Sequence, residues 1–231
     1  MRRFWQAAET IPVNKGYAIA LDGRRVKTPA KSDLVLPALA LAKAVAEEWN
    51  GVGKYVDPRA MPLTGLANAA IDRIAPDKGN FAAGIARYGE SDLTCYRAEG
   101  PEELVRRQGQ AWDPLLGWAC RRYDLDFVTC TGVMHVPQPD ETVRKLAHAV
   151  AALEAFQLAG LSPLVTIGGS LIAGLAVLEE MMPAEAGWAA VSLDERWQLE
   201  QWGDDCEARA ALDSRRRDFL AAARFLELLR G

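Results

Sequence analysis

The sequence predicts an α+β protein: a small antiparallel β-rich N-terminal domain followed by a larger α-helical bundle. Three observations carry this reading. Residues 4–36 are short apolar runs separated by turn-forming pairs. At Pro37 the apolar spacing changes from a period of two to the helical period. From Pro62 onward helical segments follow one another through short links, as in a bundle. The expected domains are residues 1–58, β-rich with one helix, and residues 59–231, an α-helical domain.

In the first segment, Asn14-Lys15-Gly16 is a turn between Thr10–Val13 and Tyr17–Ile19. Asp22-Gly23 is a two-residue hairpin signal, with Arg24–Thr28 as the return strand. Leu34–Leu36 is a further short strand. Leu39, Leu41, Val45, Ala46 and Trp49 then suit a helix ending near Gly51. Leu63, Leu66, Ala67, Ala70, Ile71 and Ile74 form the next stripe, ended by Pro76. Residues 89–100 break the pattern. Pro101, with Glu102 and Glu103 behind it, opens a long helix that Pro114 should kink. Phe127–Met134 is a short extended piece. Four helices complete the chain: Asp140–Leu158, the uncharged Leu161–Leu178, Ala184–Asp205, and a last one from Asp205.

Composition narrows the functional classes. The 231 residues carry a net charge of −4, which offers no electrostatic case for nucleic acid. The four cysteines have no CxxC spacing and read as free thiols in a reducing compartment. With two histidines, His135 and His148, far from other ligands, a zinc site is not expected. No signal peptide follows Met1-Arg2-Arg3. Leu161–Leu178 holds Pro163, Gly168, Gly169 and Ser170, so it reads as a buried central helix and not a membrane span.

Ala184–Asp205 is the most informative stretch. At helical spacing Trp188, Val191, Glu195, Leu199 and Trp202 share one face, and Ala186, Leu193, Trp197 and Glu200 the opposite one. A helix apolar on two faces lies between layers or keeps one face for a partner. Each face also carries a glutamate, which is costly there unless paired. The ordinary reading is that each Glu meets an arginine or a backbone N–H. The functional reading is that one, Glu200 by preference, is kept for a partner.

Catalytic signatures are scarce. There is no P-loop and no dinucleotide fingerprint. Ile167–Ile172 lacks the second glycine of a nucleophile elbow. Glu195 and Glu200 lie about 140° apart on a helix, too divergent for an acid–base pair. Asp72-Arg73 and the loop Tyr88–Asp92 read as capping and ion-pairing groups. Tyr96 and Arg97 make that loop a weaker interface candidate. Of the seven tryptophans, Trp197 and Trp202 are the least easily buried together.

An ordered set of segments then stands out: RRFW, LDGRRVKTPAKSDLVLP, AEEW, MPLTGLANAAID, ARYGESDLTCYRAEGPEELVRRQ, AWDPLLGWA and LDERWQLEQWGDDCEA. From about Phe4 to Phe225 the chain resembles the assembly chaperone family of the F-type ATP synthase, which escorts the α subunit of the catalytic head. The resemblance implies a β-rich N-terminal and a helical C-terminal domain, no ATP hydrolysis and no cofactor. Mitochondrial members carry a targeting extension; its lack here suggests a bacterial, cytoplasmic member. The expectation is thus a non-enzymatic chaperone, monomeric when free, that binds the unassembled α subunit through Glu200, framed by Trp197, Trp202, Glu195 and Asp204. The rival readings are a helical scaffold for another protein, or an enzyme using the Tyr88–Arg97 loop with Asp72 or Arg73.

Overall fold

The computed structural model describes residues 1–203 and 205–231. The chain is α+β: a small antiparallel sheet near the N-terminus precedes a larger helical region. In chain order the strands β1 (Ala8–Val13), β2 (Gly16–Leu21), β3 (Arg24–Arg25) and β4 (Val35–Leu36) come first, then α1 (Leu39–Asn50), α2 (Pro62–Ala69) and α3 (Lys78–Ala86). Next are β5 (Tyr96–Arg97), α4 (Glu102–Tyr123), β6 (Cys130–Thr131) and α5 (Asp140–Ala151). The chain closes with α6 (Ala155–Gly168), α7 (Leu171–Leu178), α8 (Ala184–Val191), α9 (Leu193–Trp202) and α10 (Cys206–Arg230).

The residues divide into two compact units: Met1–Lys78 with Glu154–Gly160 and Ala221–Gly231, and Gly79–Leu153 with Leu161–Leu220. In the first, β2 is the central strand. It pairs antiparallel with β1 over its whole length and with β3 and β4 on its other side. Asp22 and Gly23 both have positive φ (47° and 79°), the two-residue turn that matches the twist of a hairpin. Ala18–Leu21 of β2 are buried with Leu34, Leu36, Leu41 and Val45. Two side chains of α1 finish backbone groups elsewhere. Asn50 donates to Ala8 O and accepts from Ala8 N, closing that part of the outer edge of β1. Glu48 accepts from Leu63 N, Thr64 N and the Thr64 hydroxyl, capping α2, whose own N-cap residue Met61 offers no acceptor.

The second unit is built on α4, which packs against α5, α7, α8 and α9. Its buried stripe is Leu104, Gln108, Trp112, Leu115 and Ala119. The helix runs unbroken through Pro114. Three expected helices are interrupted. Asp140–Leu158 divides at residues 152–154. Leu161–Leu178 is two helices joined at Gly169-Ser170, where Gly169 is left-handed (φ 67°) and Ser170 is extended. The carboxylate of Asp92, fully buried, accepts there from Ser170 Oγ (2.7 Å) and Ile172 N (2.9 Å). These bonds satisfy the N-terminus of α7 and stabilise the break. Ala184–Asp205 breaks at Ser192, whose backbone leaves helical geometry (φ −98°, ψ 11°) while its N–H and hydroxyl both donate to Trp188 O, at 3.0 and 2.7 Å. Faces counted across that join do not continue, so only the α9 part of each expected stripe applies. No helix among the described residues is long and apolar enough to cross a membrane.

Candidate functional site

The first turns of α4 face α9. Glu103 sits where the free N–H groups of the helix start favour a carboxylate. It accepts from Arg106 (2.6 and 2.8 Å) and from Arg107 Nε (3.0 Å). These donors hold its carboxyl down at about 2. Arg107 extends further. Its Nη1 donates to Glu200 at 2.7 Å, and its guanidinium lies 4.7 Å from the centroid of the Trp197 ring. Hydrogen bonding to Glu200, then to Glu103, raises the guanidinium above its ordinary range. The Arg107–Glu200 pair is half-exposed, so it orients α9 more than it stabilises the fold.

The next residue, buried Gln108, donates to Asp194 of α9 at 2.8 Å and accepts from Ala98 N at 2.8 Å. Trp112 Nε1 donates to Ala190 O at 2.9 Å. Arg97 lies over the Trp112 ring at 5.2 Å, pairs with Asp113 at 2.6 Å and donates to Thr94 O. Between the 93–101 loop, α4 and α9 lies an open groove of about 730 Å³. Its walls include Leu93, Leu104 and Trp112 on one side and Trp197 and Trp202 on the other. On the far side of α9, toward α10, is a second groove of about 620 Å³, where Leu199, Trp202, Ala208 and Leu212 meet. Leu193 is the one α9 residue fully covered. Trp202 is 82% exposed and lines both grooves.

The candidate residues fall on the two sides of α9. Glu200 and Trp197 are drawn together by Arg107, facing α4. Glu195 pairs with Arg215 of α10 at 2.8 Å. Trp202 stands between the grooves. Asp204 lies outside the described residues. Each glutamate therefore has an arginine partner in the free chain. Arg107, Gln108 and Asp194 were missing from the sequence-based set. The available signal was Gln108, a polar residue at helical spacing from Leu104 and Leu115; the sequence stripe of Leu104, Ala111, Leu115 and Trp118 is replaced in the structure by one through Gln108 and Trp112.

Three of the groups considered for chemistry have structural partners. Asp92 also accepts from Thr94 N and Oγ1, and burial pushes its carboxyl up. Asp72 accepts from the Thr28 hydroxyl and Ala30 N. Tyr96 Oη shares a hydrogen bond with His135 Nδ1 at 3.1 Å. No cluster of three or more metal-ligating side chains exists among the described residues.

Residues 2–120 match the family described as ATP12 chaperone protein. The chain belongs to the ATP12 chaperone family. It is 44% identical to Atp12 from Paracoccus denitrificans, whose crystal structure superposes with a TM-score of 0.94 over 99% of this chain and 98% of that one. An aspartate-to-lysine mutant of the P. denitrificans protein matches equally well, at 43% identity and a TM-score of 0.94, over the same shares of the two chains. Protein atp12, mitochondrial, of Schizosaccharomyces pombe is 27% identical over 218 residues, covering 87% of this chain and 74% of the relative. The matched family region contains all of α4 up to Cys120, hence one wall of the groove; α9 lies beyond it.

Proposed function

We propose that this protein is an assembly chaperone of the F-type ATP synthase that binds the unassembled α subunit of the catalytic head. It would cover the α surface destined for the β subunit until β replaces it. The observation that carries the reading is α9, a helix of an ATP12-family chain left largely uncovered with a tryptophan-walled groove on each side. Open tryptophan and leucine side chains set among charged and polar groups are of the residue types and arrangement that interfaces use. An unassembled ring subunit exposes complementary surfaces that aggregate unless masked. Mixed apolar and charged contacts suit a partner that must later be displaced.

In this reading Glu200 meets the partner, exchanging Arg107 for a donor of the α subunit. Trp197, Trp202, Glu195 and Asp204 frame that contact. The role is non-enzymatic, needs no cofactor, and is carried out in the bacterial cytoplasm by a monomer. Co-elution of α subunit with this protein on a sizing column, followed by addition of β subunit, tests it. A one-to-one complex that dissolves when β is added supports the reading. A Glu200→Lys variant should fold normally yet lose the complex. If α never co-elutes, the reading is wrong; if Glu200→Lys unfolds, Glu200 is a structural residue.

A further inference from the structure

The groove between the 93–101 loop, α4 and α9 has a repeated internal chemistry. Arg97, which lines it, and Arg107, which lies outside the lining but over the lining residue Trp197, settle in the same way, a guanidinium over an indole with a carboxylate at its edge. Arg97 lies over Trp112 and pairs with Asp113; Arg107 lies over Trp197 and pairs with Glu200. A cation desolvated against an indole and held by a carboxylate gains from both contacts. The groove keeps a third set of the same parts without a cation. Trp202 is bare, and Asp194 and Glu99 have no cationic partner among the described residues. Among the described residues Asp194 accepts from Gln108 alone, and Glu99 stands on the loop beside Gly132. Asp194, Gln198 and Gln201–Trp202 recur at four- and three-residue steps, so they line one face of α9 toward the groove. Val133, 95% exposed, adds apolar surface at the rim.

From this we infer that the groove seats a segment of the α subunit that carries a lysine or arginine flanked by large apolar residues. The cation sits between Asp194 and Glu99, and the apolar neighbours cover Trp202 and Leu104. This assignment rests on the proposed chaperone function for its source, and on the groove itself for its chemistry.

Two arms separate those supports, both with the full chain. The first compares α-subunit binding by the wild type and by the double variant Glu99→Gln, Asp194→Asn. Asparagine keeps the acceptor that Gln108 uses, so folding is preserved, as a circular dichroism melt verifies. Removing both carboxylates should weaken binding about tenfold or more. Zero-length carbodiimide coupling should join Glu99 or Asp194 to α-subunit lysines. The second arm uses tryptophan fluorescence with two twelve-residue peptides, one of leucines and lysines at helical spacing and one with glutamate in place of each lysine. The wild type should prefer the lysine peptide, and the double variant should lose the preference. Equal binding of α by both proteins, or equal binding of both peptides by the wild type, overturns the inference. A dimer on the sizing column that dissolves in the double variant also overturns it, since a second copy then fills the groove. If the peptides are discriminated but α binds neither protein, the groove chemistry holds and the α subunit is refuted as its source.

Discussion

Asp92 holds the loop that forms one wall of the groove, and its removal has a size that can be worked out. The carboxylate is fully buried and accepts four hydrogen bonds: Thr94 N at 3.0 Å, Thr94 Oγ1 at 2.7 Å, Ser170 Oγ at 2.7 Å and Ile172 N at 2.9 Å. Asp92→Ala leaves two buried backbone N–H groups unpaired, at about 1–3 kcal/mol each, while the hydroxyls can turn to other acceptors. Relief from burying a carboxylate offsets part of this, so a net loss of about 2–4 kcal/mol is expected. Asp92→Asn keeps one acceptor oxygen but turns an amide N–H against Ile172 N, for a loss of about 1–2 kcal/mol. Urea unfolding followed by tryptophan fluorescence measures both. The sign with pH is also determined. Burial raises the folded-state carboxyl above 3.8, so the folded chain keeps the proton to higher pH than the unfolded chain. That contribution is present below the unfolded value and is lost as pH rises through the folded one. The deficit of the Asn variant should therefore be larger in acid than at neutrality. An Ala variant within about 0.5 kcal/mol of wild type, or an Asn variant as damaged as Ala, would refute this account of the loop.

Three further outcomes are expected. Carbon-detected NMR titration should place the Glu103 carboxyl at about 2, and Arg106→Ala should move it up. Since that group is depressed, its contribution to stability is present above its ordinary value of 4.5 and is lost as pH falls through about 2. Gly160→Ala would put a Cβ 2.5 Å from Leu226 Cδ2, overpacking that offsets any gain in helix propensity and lowers stability by about 1–2 kcal/mol. Adding Leu226→Ala should make the Gly160 change harmless in a double-mutant cycle read by thermal melting. With Ellman's reagent, exposed Cys206 should react in the native protein, whereas Cys95, buried with its thiol pushed up to about 12, should react only after denaturation.

What could be read from the sequence was what is decided locally. The Asp22-Gly23 hairpin, the end of α1 at Gly51 and the start of α4 behind Pro101 each depend on residues within a turn of the event. The breaks at Gly169-Ser170 and Ser192 could not be read the same way. The first depends on Asp92, about eighty positions earlier, and the second on a serine hydroxyl that is equally at home inside a helix. The opposed placement of Glu195 and Glu200 on α9 was legible because helical spacing alone sets it. The partners that each one meets, Arg215 and Arg107, come from elements brought together only by folding. Asp194 gave no signal of its own, since an acidic residue in a first turn is ordinary at any helix.

The most direct test of the central claim is aggregation of isolated α subunit, followed by light scattering without nucleotide, with and without this protein. The account predicts suppression that saturates near one chaperone per α subunit, and its loss with Glu200→Lys. Undiminished scattering at excess chaperone, or equal suppression by the Glu200→Lys variant, would contradict it.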